Sequence, residues 1–473
     1  MNGRRRAFVE IIIFGYCGIG NCAVPLHRQN FIKMKTTGII RYGTALAIGF
    51  CMFLPSMAQQ AEYGEYEKFR VGGYGEMAGN LKNYQDDRFS GITTGSSNGN
   101  RATISIPRFV LALDYKFNPK WVLGAEVEFE SGGVGMETEL ENSENGEYEL
   151  EMEKGGEVAL EQFHVTRLIG RGFNIRAGHM ILPIGLTNSH HEPILFFGPE
   201  RPEDETTILP STWHETGVGI FGDLGRDKMN FQYQVMAVAG LNPDGFGRDH
   251  WVADGKQGLF EADKFSSPAY VGRLDYTGVK GLRLGASAYY CANTGKNADK
   301  PHKYAKCGNT GLYLLSADAQ YRNALITARA NVIYGHLNNS DKISNVILSN
   351  KSNYHSGSMR KVAGTALTYG AEVGMNLKAL TGLAKCPTTY PYIRYEYFSP
   401  QHKAAEGVSI DERCHVSKWQ AGLNYFALPN LVIKAAYSNR RIGTRRVFGY
   451  GKPYNRENEF SIGVAYTAWF WKK

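Results

Sequence analysis

Long apolar segments are missing from this 473-residue sequence once its N-terminus is set aside. A membrane-spanning helix needs about 20 consecutive apolar residues, so a helical membrane protein is excluded. The net charge of the chain after residue 58 is also small, whereas a nucleic-acid-binding protein is usually basic. Residues 1–58 hold seven of the 53 Lys and Arg residues and one of the 45 Asp and Glu residues, and the rest of the chain is close to neutral. We therefore expect no nucleic-acid partner.

Cysteine is scarce, with four residues outside 1–58: Cys291, Cys307, Cys386 and Cys414. An even number of cysteines in an exported chain permits disulfides. Cys291 and Cys307 bracket one polar stretch and are the predicted pair. A pairing of Cys386 with Cys414 is less favoured.

The histidines lie outside any recognisable metal-binding or catalytic spacing. His190-His191-Glu192 and His214-Glu215 lack the His-x-x-x-His pattern that places two ligands on one helical face. The prolines around them would break such a helix. We therefore predict no metal site, no cofactor and no enzymatic activity.

The N-terminus has the layout of an export signal. Lys35 and Arg41 form a basic region, residues 43–54 are apolar, and Ser56-Met57-Ala58 is a small-x-small cleavage site. We predict a signal peptide at residues 34–58, preceded by an upstream extension of doubtful meaning at 1–33. The exported domain is then 59–473. The alternative, that residues 11–14 and 46–54 belong to membrane helices, is disfavoured because both runs are short.

Glycine (55), tyrosine (28) and phenylalanine (24) are abundant, as is typical of β-strands joined by many turns. Segments of about ten residues alternate apolar with polar side chains, for example Phe231, Tyr233 and Val235 with Gln232 and Gln234. Seven tight turns contain the Gly, Pro, Asn or Asp that turns require, at 117–119, 170–172, 224–227, 277–281, 321–323, 380–383 and 428–430. Long polar loops alternate with them near 79–101, 132–155, 183–213, 240–265, 291–310, 335–363, 399–415 and 440–457.

These turns and loops divide the chain into about sixteen strands, with short turns on one side and long loops on the other. A soluble two-layer sandwich also alternates, but this layout in an exported chain is more typical of an outer-membrane barrel. A sheet that crosses a membrane must close, so that no backbone group meets lipid unpaired. The predicted fold is all-β, a transmembrane antiparallel β-barrel with short periplasmic turns and long extracellular loops.

One stretch, Ile181 to Gly219, fits neither a strand nor a helix. Its prolines prevent a continuous ladder of β-sheet hydrogen bonds. A segment of this length without regular secondary structure is usually functional or disordered. Apolar Ile194, Phe196 and Phe197 argue against disorder, because such side chains favour burial.

Several motifs resemble the phosphate-selective porins O and P, in the form widespread in Bacteroidetes. The resemblance rests on Gly73-Tyr74-Gly75-Glu76, Pro107-Arg108-Phe109, Ile175-Arg176-Ala177-Gly178-His179, Pro183-Ile184-Gly185-Leu186-Thr187, Glu200-Arg201-Pro202 and the run from Leu209 to Gly219. It implies a passive diffusion channel for small hydrophilic solutes or ions, with anions such as phosphate among them, in the outer membrane of a Gram-negative bacterium. It also implies a third long loop folded into the lumen and a homotrimer.

The expected partners are therefore outer-membrane lipid, lipopolysaccharide, small hydrophilic solutes and the barrel-assembly machinery. A surface adhesin role is an open alternative, and a barrel hydrolase is a less favoured one, since such enzymes usually have fewer strands. The chain ends in Lys472 and Lys473, where an aromatic residue usually terminates such a barrel.

A pore needs a narrow zone where opposed charges select solutes. The predicted constriction residues are His190, His191, Glu200, Arg201, Glu203 and Asp204 from the loop, with Arg108, Arg176, Arg329 and Arg394 from the wall. The alternative for each wall arginine is an ion pair that holds the loop to the barrel. The inward positions carry both positively and negatively charged side chains, which favours a mixed-charge gate over a phosphate filter.

Overall fold

The computed structural model describes residues 66–83, 100–133, 137–142, 148–153, 158–257, 262–350, 361–383, 386–404, 410, 412–443 and 456–473. Within these ranges sixteen strands form one closed antiparallel barrel, which confirms the predicted fold class. Each barrel strand pairs with the next along the chain, and the first pairs with the last. Among the described residues, no helix is both long and apolar enough to cross a membrane.

The strands are β1 (Phe69–Asn83), β2 (Asn100–Asn118), β3 (Trp121–Glu130), β4 (Glu137–Asn142), β5 (Tyr148–Glu153), β6 (Val158–Gly170), β7 (Phe173–Ile181), β8 (His214–Leu224), β9 (Phe231–Val238), β10 (Ala269–Tyr276), β11 (Leu282–Cys291), β12 (Leu312–Arg322), β13 (Ile326–Leu337), β14 (Thr365–Met375), β15 (Thr388–Lys403), β16 (Val416–Leu428), β17 (Leu431–Ile442) and β18 (Arg456–Lys472). The short helices are α1 (Glu203–Ile208), α2 (Pro301–Tyr304), α3 (Ser340–Asn350) and α4 (Leu377–Thr381).

The barrel is closed by the pairing of β1 with β18. Arg70 of β1 pairs with Lys472 of β18. The backbone of Lys473 exchanges hydrogen bonds with Phe69, whose N–H lies 3.1 Å from the Lys473 carbonyl oxygen and whose carbonyl oxygen lies 2.9 Å from the Lys473 N–H. The terminal lysines therefore extend the β1–β18 seam.

Strand alternation sorts side chains to two faces, because successive residues point to opposite sides of a sheet. In β10, Tyr270 and Leu274 are exposed on the outer face, whereas Val271, Arg273 and Asp275 are buried on the inner face. The outer surface therefore presents apolar side chains, and the interior combines charges with apolar groups.

Two connections differ from the sequence prediction. β4 and β5 pair in a separate two-stranded sheet, outside the barrel, where a long acidic loop was expected. The tight turn expected at 380–383 is a longer connection, because Asn376 ends the strand pattern and caps α4 by accepting a hydrogen bond from the Lys378 N–H at 3.1 Å. An Asn cap at this position starts a helix where the apolar alternation alone predicts more strand.

The predicted Cys291–Cys307 disulfide is wrong, since both thiols are free in the structure. Cys291 ends β11 and is buried; its thiol lies 3.4 Å from the carbonyl oxygen of Ser267. The stretch between the two cysteines was expected to be a polar loop, but it folds into short helical turns over an apolar cluster that includes both of them. Cys386 is free as well.

That apolar cluster fills the interior at the long-loop ends of several neighbouring strands. Inward residues of β9–β14, among them Val271 and Leu314, pack there against Trp251 and Ile343 from the long loops. Burial of this much apolar surface stabilises the loops against the wall.

Candidate functional site: the lumen loop

Residues 182–213, between β7 and β8, lie inside the barrel, and we call them the lumen loop. They connect the fifth and sixth barrel strands, as predicted for the third long loop. The base of the loop is closed by a hydrogen bond of 3.0 Å from the Leu182 N–H to the Trp213 carbonyl oxygen. Leu182, Ile184, Ile208 and Trp213 join the apolar cluster, so burial fixes both ends of the loop.

Glu205 holds the first turn of the lumen loop. Its carboxylate accepts hydrogen bonds from the N–H groups of Leu186 and Thr187, both at 2.7 Å, and of Asn188 at 3.2 Å. The turn requires glycine at position 185, because φ is +75° there and a Cβ would lie 2.6 Å from the Glu205 carboxylate. A single buried acid thus satisfies three backbone donors that would otherwise be unpaired.

One contact of the loop with the wall is made by His191. Its Nε2 lies 2.9 Å from the Tyr74 hydroxyl of β1 and 3.4 Å from Oε1 of Glu161 on β6. Arg108 of β2 donates to the His191 carbonyl oxygen and lies 3.5 Å from Glu128. The Gly73–Glu76 and Pro107–Phe109 motifs therefore contribute Tyr74 and Arg108 to this contact.

The second contact holds the carbonyl oxygens at 193–198. Lys434 of β17 donates to the carbonyl oxygens of Phe196 and Gly198, both at 2.8 Å, and to that of Pro193. Arg329 of β13 donates to the Leu195 carbonyl oxygen at 2.5 Å. Because β13 and β17 are separate parts of the wall, the loop is bound from two directions.

The aromatic ring of Phe197 adds an apolar part to this contact. It stacks on Tyr392 with a centroid distance of 5.0 Å and an interplanar angle of 15°, and lies 5.8 Å from the ring of Tyr390. Its N–H lies 3.4 Å from the Glu372 carboxylate. Arg394 donates to the same carboxylate at 2.6 Å, so Glu372 joins the loop to an arginine of the wall.

The third contact is α1, whose N-terminus meets Glu396 of β15. One Glu396 oxygen accepts from the Glu203 N–H at 2.6 Å and from the Asp204 N–H at 3.4 Å. The Glu203 side chain binds Arg440 at 2.8 Å and Lys418 at 3.4 Å. Asn331 donates to Asp204 at 2.8 Å. Glu203 of the loop thus pairs with two basic side chains of the wall, and the N–H groups at the start of α1 bind the carboxylate of Glu396.

The predicted constriction residues fall into distinct places. Arg108 and Arg329 bind loop carbonyl oxygens, and Arg394 acts through Glu372, which is the arrangement of the anchoring alternative. Arg176 lies on the wall beside Thr166, at 3.1 Å, and over the ring of Phe221.

The other predicted residues belong to the loop itself. Arg201 donates to the hydroxyls of Ser211 and Thr212, so it braces the loop internally. Glu200 accepts from Asn80 of β1 at 2.6 Å. His190 lies apart from His191, with Nε2 3.1 Å from Arg283 and 3.2 Å from the Gln320 amide.

Sequence reasoning did not select several residues that carry these contacts: Tyr74, Glu161, Glu205, Glu372, Glu396 and Lys434. The four strand acids and bases among them occupy inward positions that period-two alternation identifies. No sequence signal gives their depth in the barrel or their loop partner.

Burial shifts the pKa values of three loop residues, His190, Asp204 and Glu205. Burial lowers the pKa of His190 well below its ordinary value, and neighbouring Arg283 and Arg273 act in the same direction. Burial raises the pKa of Asp204 well above its ordinary value, helped by the charges of Glu396 and Glu205. Burial also raises the pKa of Glu205 to about 7, although the hydrogen bonds from the loop N–H groups oppose this. His190 is therefore neutral at neutral pH and accepts from Arg283, and the protonated form of Asp204 is favoured relative to an exposed aspartate.

The wall bases are paired with acids. Arg273 lies 2.8 Å from Asp275 and 2.9 Å from Asp318, and Arg283 lies 2.9 Å from Asp275. Arg440 also binds Glu457 at 3.0 Å. These cationic side chains are therefore neutralised locally by carboxylates.

Two features bear on the enzyme alternative. His179 and His214 are in contact through Nε2 and Nδ1, and Lys256 lies 3.0 Å from Nε2 of His214. Residues 95–99 have the Gly-x-Ser-x-Gly spacing that surrounds the nucleophile of many serine hydrolases. They lie outside the described residues.

No family model matches the chain. An uncharacterized protein of Aquifex aeolicus is 28% identical over 219 residues, which are 46% of this chain and 43% of that protein, so the match spans less than half of the relative. Among solved structures, OmpF of Salmonella typhi aligns with a TM-score of 0.52 at 11% identity, covering 86% of this chain and 99% of OmpF.

Two further outer-membrane channels are similar. DcaP of Acinetobacter baumannii has a TM-score of 0.49 and 12% identity over 85% of this chain and 97% of DcaP. An anion-selective porin of Comamonas acidovorans has a TM-score of 0.48 and 10% identity over 85% of this chain and 100% of that porin. The likeness to OmpF at this identity shows the fold, a closed 16-strand antiparallel barrel of the kind that outer-membrane porins have.

Proposed function

We propose that the protein is a passive diffusion channel for small hydrophilic solutes in the outer membrane of a Gram-negative bacterium. The main support for this proposal is that a closed 16-strand barrel holds its third long loop inside the lumen through buried charged side chains on several wall strands. A loop fixed in this way narrows the passage, as a size- and charge-selecting constriction requires. The fold shared with OmpF supports this function.

The outer surface supports a lipid-facing role. Exposed leucines and tyrosines alternate along the strands with buried polar residues, for example Leu274 with Arg273 and Leu315 with Ser316. Such alternation is the signature of a barrel wall between lipid and water. Outer-membrane lipid and lipopolysaccharide are therefore the proposed surroundings.

The charge arrangement supports weak ion selectivity over a dedicated phosphate filter. A phosphate filter needs cationic groups that remain open to the anion, whereas Arg273, Arg329, Arg394 and Arg440 bind carboxylates. Membership of the phosphate-selective porin O and P family stays part of this proposal, on the strength of the motifs. The proposed solutes are small and hydrophilic, with phosphate one of several that pass.

Further parts of the proposal concern export and assembly. We propose cleavage of a signal peptide at 34–58, export of 59–473, insertion by the barrel-assembly machinery and a homotrimer. The aromatic last strand, with Trp469, Phe470 and Trp471, supports recognition during insertion, and it lies in the closing seam with β1. Mass determination of the exported chain and its oligomeric state in detergent test these points.

Planar-bilayer recording on the purified protein tests the channel. We expect stepwise conductance and an anion-to-cation permeability ratio within a few-fold of one. Complete insertion without conductance would overturn the channel function, and a ratio above about tenfold for anions would overturn weak selectivity.

The variants R176Q and R394Q separate the roles of the wall arginines. Loss of one positive charge should move the permeability ratio toward cations if that side chain borders the solute path. An unchanged ratio would remove that arginine from the selectivity zone. For R394Q, increased current noise with an unchanged ratio is the result that the anchoring role predicts.

A further inference from the structure

A group of three side chains meets where His191 of the lumen loop contacts the wall. Glu126 of β3, Glu161 of β6 and His191 of the loop offer ligand atoms that all lie within 4.8 Å of one another. Glu161 is fully buried and His191 is nearly so. Local spacing could not reveal this group, because its members are separated by 35 and 30 residues of sequence.

Hydrogen bonding orients His191 as a ligand. Its Nδ1 lies 3.0 Å from the Asn188 carbonyl oxygen, which can only accept, so Nδ1 carries the hydrogen. In neutral His191 the lone pair of Nε2 then points toward Tyr74 and Glu161. A ring nitrogen fixed by a backbone carbonyl on its other side is the arrangement found for metal-ligating histidines.

The acceptors at this position outnumber the donors. The Tyr74 hydroxyl has one hydrogen, yet it lies 2.9 Å from Nε2 of His191 and 3.0 Å from Oε2 of Glu161. Oε1 of Glu161 is buried and accepts no hydrogen bond from the described part of the chain. Such a buried carboxylate oxygen is costly unless a cation or proton occupies the position beside it.

The surrounding charge also favours a cation. Glu126 accepts from the neutral Gln162 amide at 2.6 Å, and Glu161 accepts from the neutral Tyr74 hydroxyl. Arg108 lies 3.5 Å from both Glu76 and Glu128, which share its positive charge. Glu161, which is fully buried, and Glu126, which is partly buried, therefore lie close together with neutral hydrogen-bond donors.

We propose that Glu126, Glu161 and His191 bind a divalent transition-metal ion, with Zn²⁺ the best suited. Zn²⁺ takes imidazole nitrogen and carboxylate oxygen at about 2.0–2.2 Å, which places neighbouring tetrahedral ligands about 3.4 Å apart. Nε2 of His191 and Oε1 of Glu161 lie at this separation, 3.4 Å. Mg²⁺ and Ca²⁺ prefer oxygen ligands alone, so the imidazole selects against them.

Occupation of this site would cross-link the lumen loop to β3 and β6. The ion would join His191 to Glu161. Nε2 of His191 and Oε1 of Glu161 are now 3.4 Å apart, which is longer than an ordinary hydrogen bond. The site goes beyond the proposed channel function and does not depend on it.

Isothermal titration of the folded protein with Zn²⁺ tests the site. The exported chain is purified in detergent through a tag without histidine, treated with EDTA and desalted. We expect one Zn²⁺ per chain, bound more tightly than Mg²⁺ in a parallel titration. Absence of stoichiometric Zn²⁺ binding, or tighter binding of Mg²⁺, would overturn the proposal.

Variants locate the bound ion. E161Q and H191Q should each weaken Zn²⁺ binding about tenfold or more. H302Q, which changes an exposed histidine of α2, should leave it unchanged. Equal binding by E161Q and H302Q would place the ion on the surface and overturn the site. Each variant is first shown to keep its β-sheet circular dichroism, and E126Q replaces any variant that does not fold.

A second readout is the thermal unfolding of the same samples. A ligand that binds only the folded state raises the melting temperature, and the rise grows with the logarithm of its concentration relative to Kd. Zn²⁺ should raise the melting temperature of the native protein and of H302Q by the same amount, and should raise that of E161Q by less. Equal shifts in all three would overturn the assignment. Neither readout uses conductance, so its outcome is separate from that of the channel test.

Discussion

The ammonium group of Lys434 lies 2.8 Å from the carbonyl oxygen of Phe196. A wall lysine thus binds the backbone of the lumen loop, and it does the same for Pro193 and Gly198. Three carbonyl oxygens around one ammonium satisfy all of its donors. This part of the loop is therefore held through backbone groups, which loop side-chain substitutions leave in place.

Replacement of Lys434 by methionine should release this part of the loop. The variant K434M keeps most of the side-chain volume but leaves three buried carbonyl oxygens without their donor, each such hydrogen bond being worth about 1.5–3 kcal/mol. We expect frequent conductance fluctuations in planar bilayers, while the β-sheet circular dichroism stays native. The matched control is K280M in the exposed turn between β10 and β11. A K434M channel as quiet as K280M would show that Lys434 does not hold the loop.

The buried acids of α1 predict a loop whose docking weakens as pH rises. Burial raises the pKa of Asp204 well above its ordinary value and that of Glu205 to about 7, whereas both return to ordinary values when the loop leaves the wall. The docked loop therefore binds more protons than the undocked loop. The resulting stabilisation of the docked loop is fully present below about pH 4, where both carboxyl groups are protonated in either state. It is lost as pH rises through the pKa values of the docked loop.

Open-channel noise between pH 5 and pH 9 measures this effect. We expect noise to increase above about pH 7 in the native protein. D204N, which cannot ionise and keeps the shape of the side chain, should show a smaller increase. D299N, at an exposed aspartate, serves as the control. A pH response that is identical in D204N and D299N would exclude Asp204 as a contributor.

The barrel could be predicted because its determinants are local. Period-two alternation marks the strands, and Gly, Pro, Asn and Asp mark the turns, so both follow from short segments. Asn376 shows the limit of this approach, because a single capping residue turned an expected strand end into α4. The inward positions of Arg108 and Arg394 follow from the same alternation.

The contacts within the lumen could not be predicted, since they join residues that are distant in sequence. Lys434 and Phe196 are 238 positions apart, and no local pattern sets which wall residue meets which loop carbonyl. The Cys291–Cys307 prediction failed for a related reason. Proximity in sequence suggested a pair, whereas each thiol is part of an apolar cluster assembled from several loops.

The free cysteines give a chemical prediction. The thiols of Cys291, Cys307 and Cys386 are free. In denatured protein the peptides that contain Cys291 and Cys307 should therefore be alkylated whether or not the protein was first reduced. In the folded protein Cys386 should react before these two, because Cys291 and Cys307 are buried. Alkylation of the Cys291 and Cys307 peptides only after reduction would show a disulfide and contradict the structure.

The contact between Gly374 and Phe197 gives the last prediction. A Cβ at position 374 would lie 2.4 Å from the Phe197 ring, which stacks on Tyr392. The variant G374A should therefore push Phe197 out of its position, at a cost of about 1–3 kcal/mol in the free energy of unfolding. G272A is the matched control, because a Cβ there meets nothing within 4 Å.

A double-mutant cycle with F197A separates this clash from a general effect of the added methyl group. F197A alone should destabilise the protein by removing a buried ring, whereas G374A should cost little once that ring is absent. Urea unfolding followed by tryptophan fluorescence measures all four proteins. Additive effects of G374A and F197A would mean that the two positions are not in contact, and the Phe197 ring would then lie elsewhere than on Tyr392.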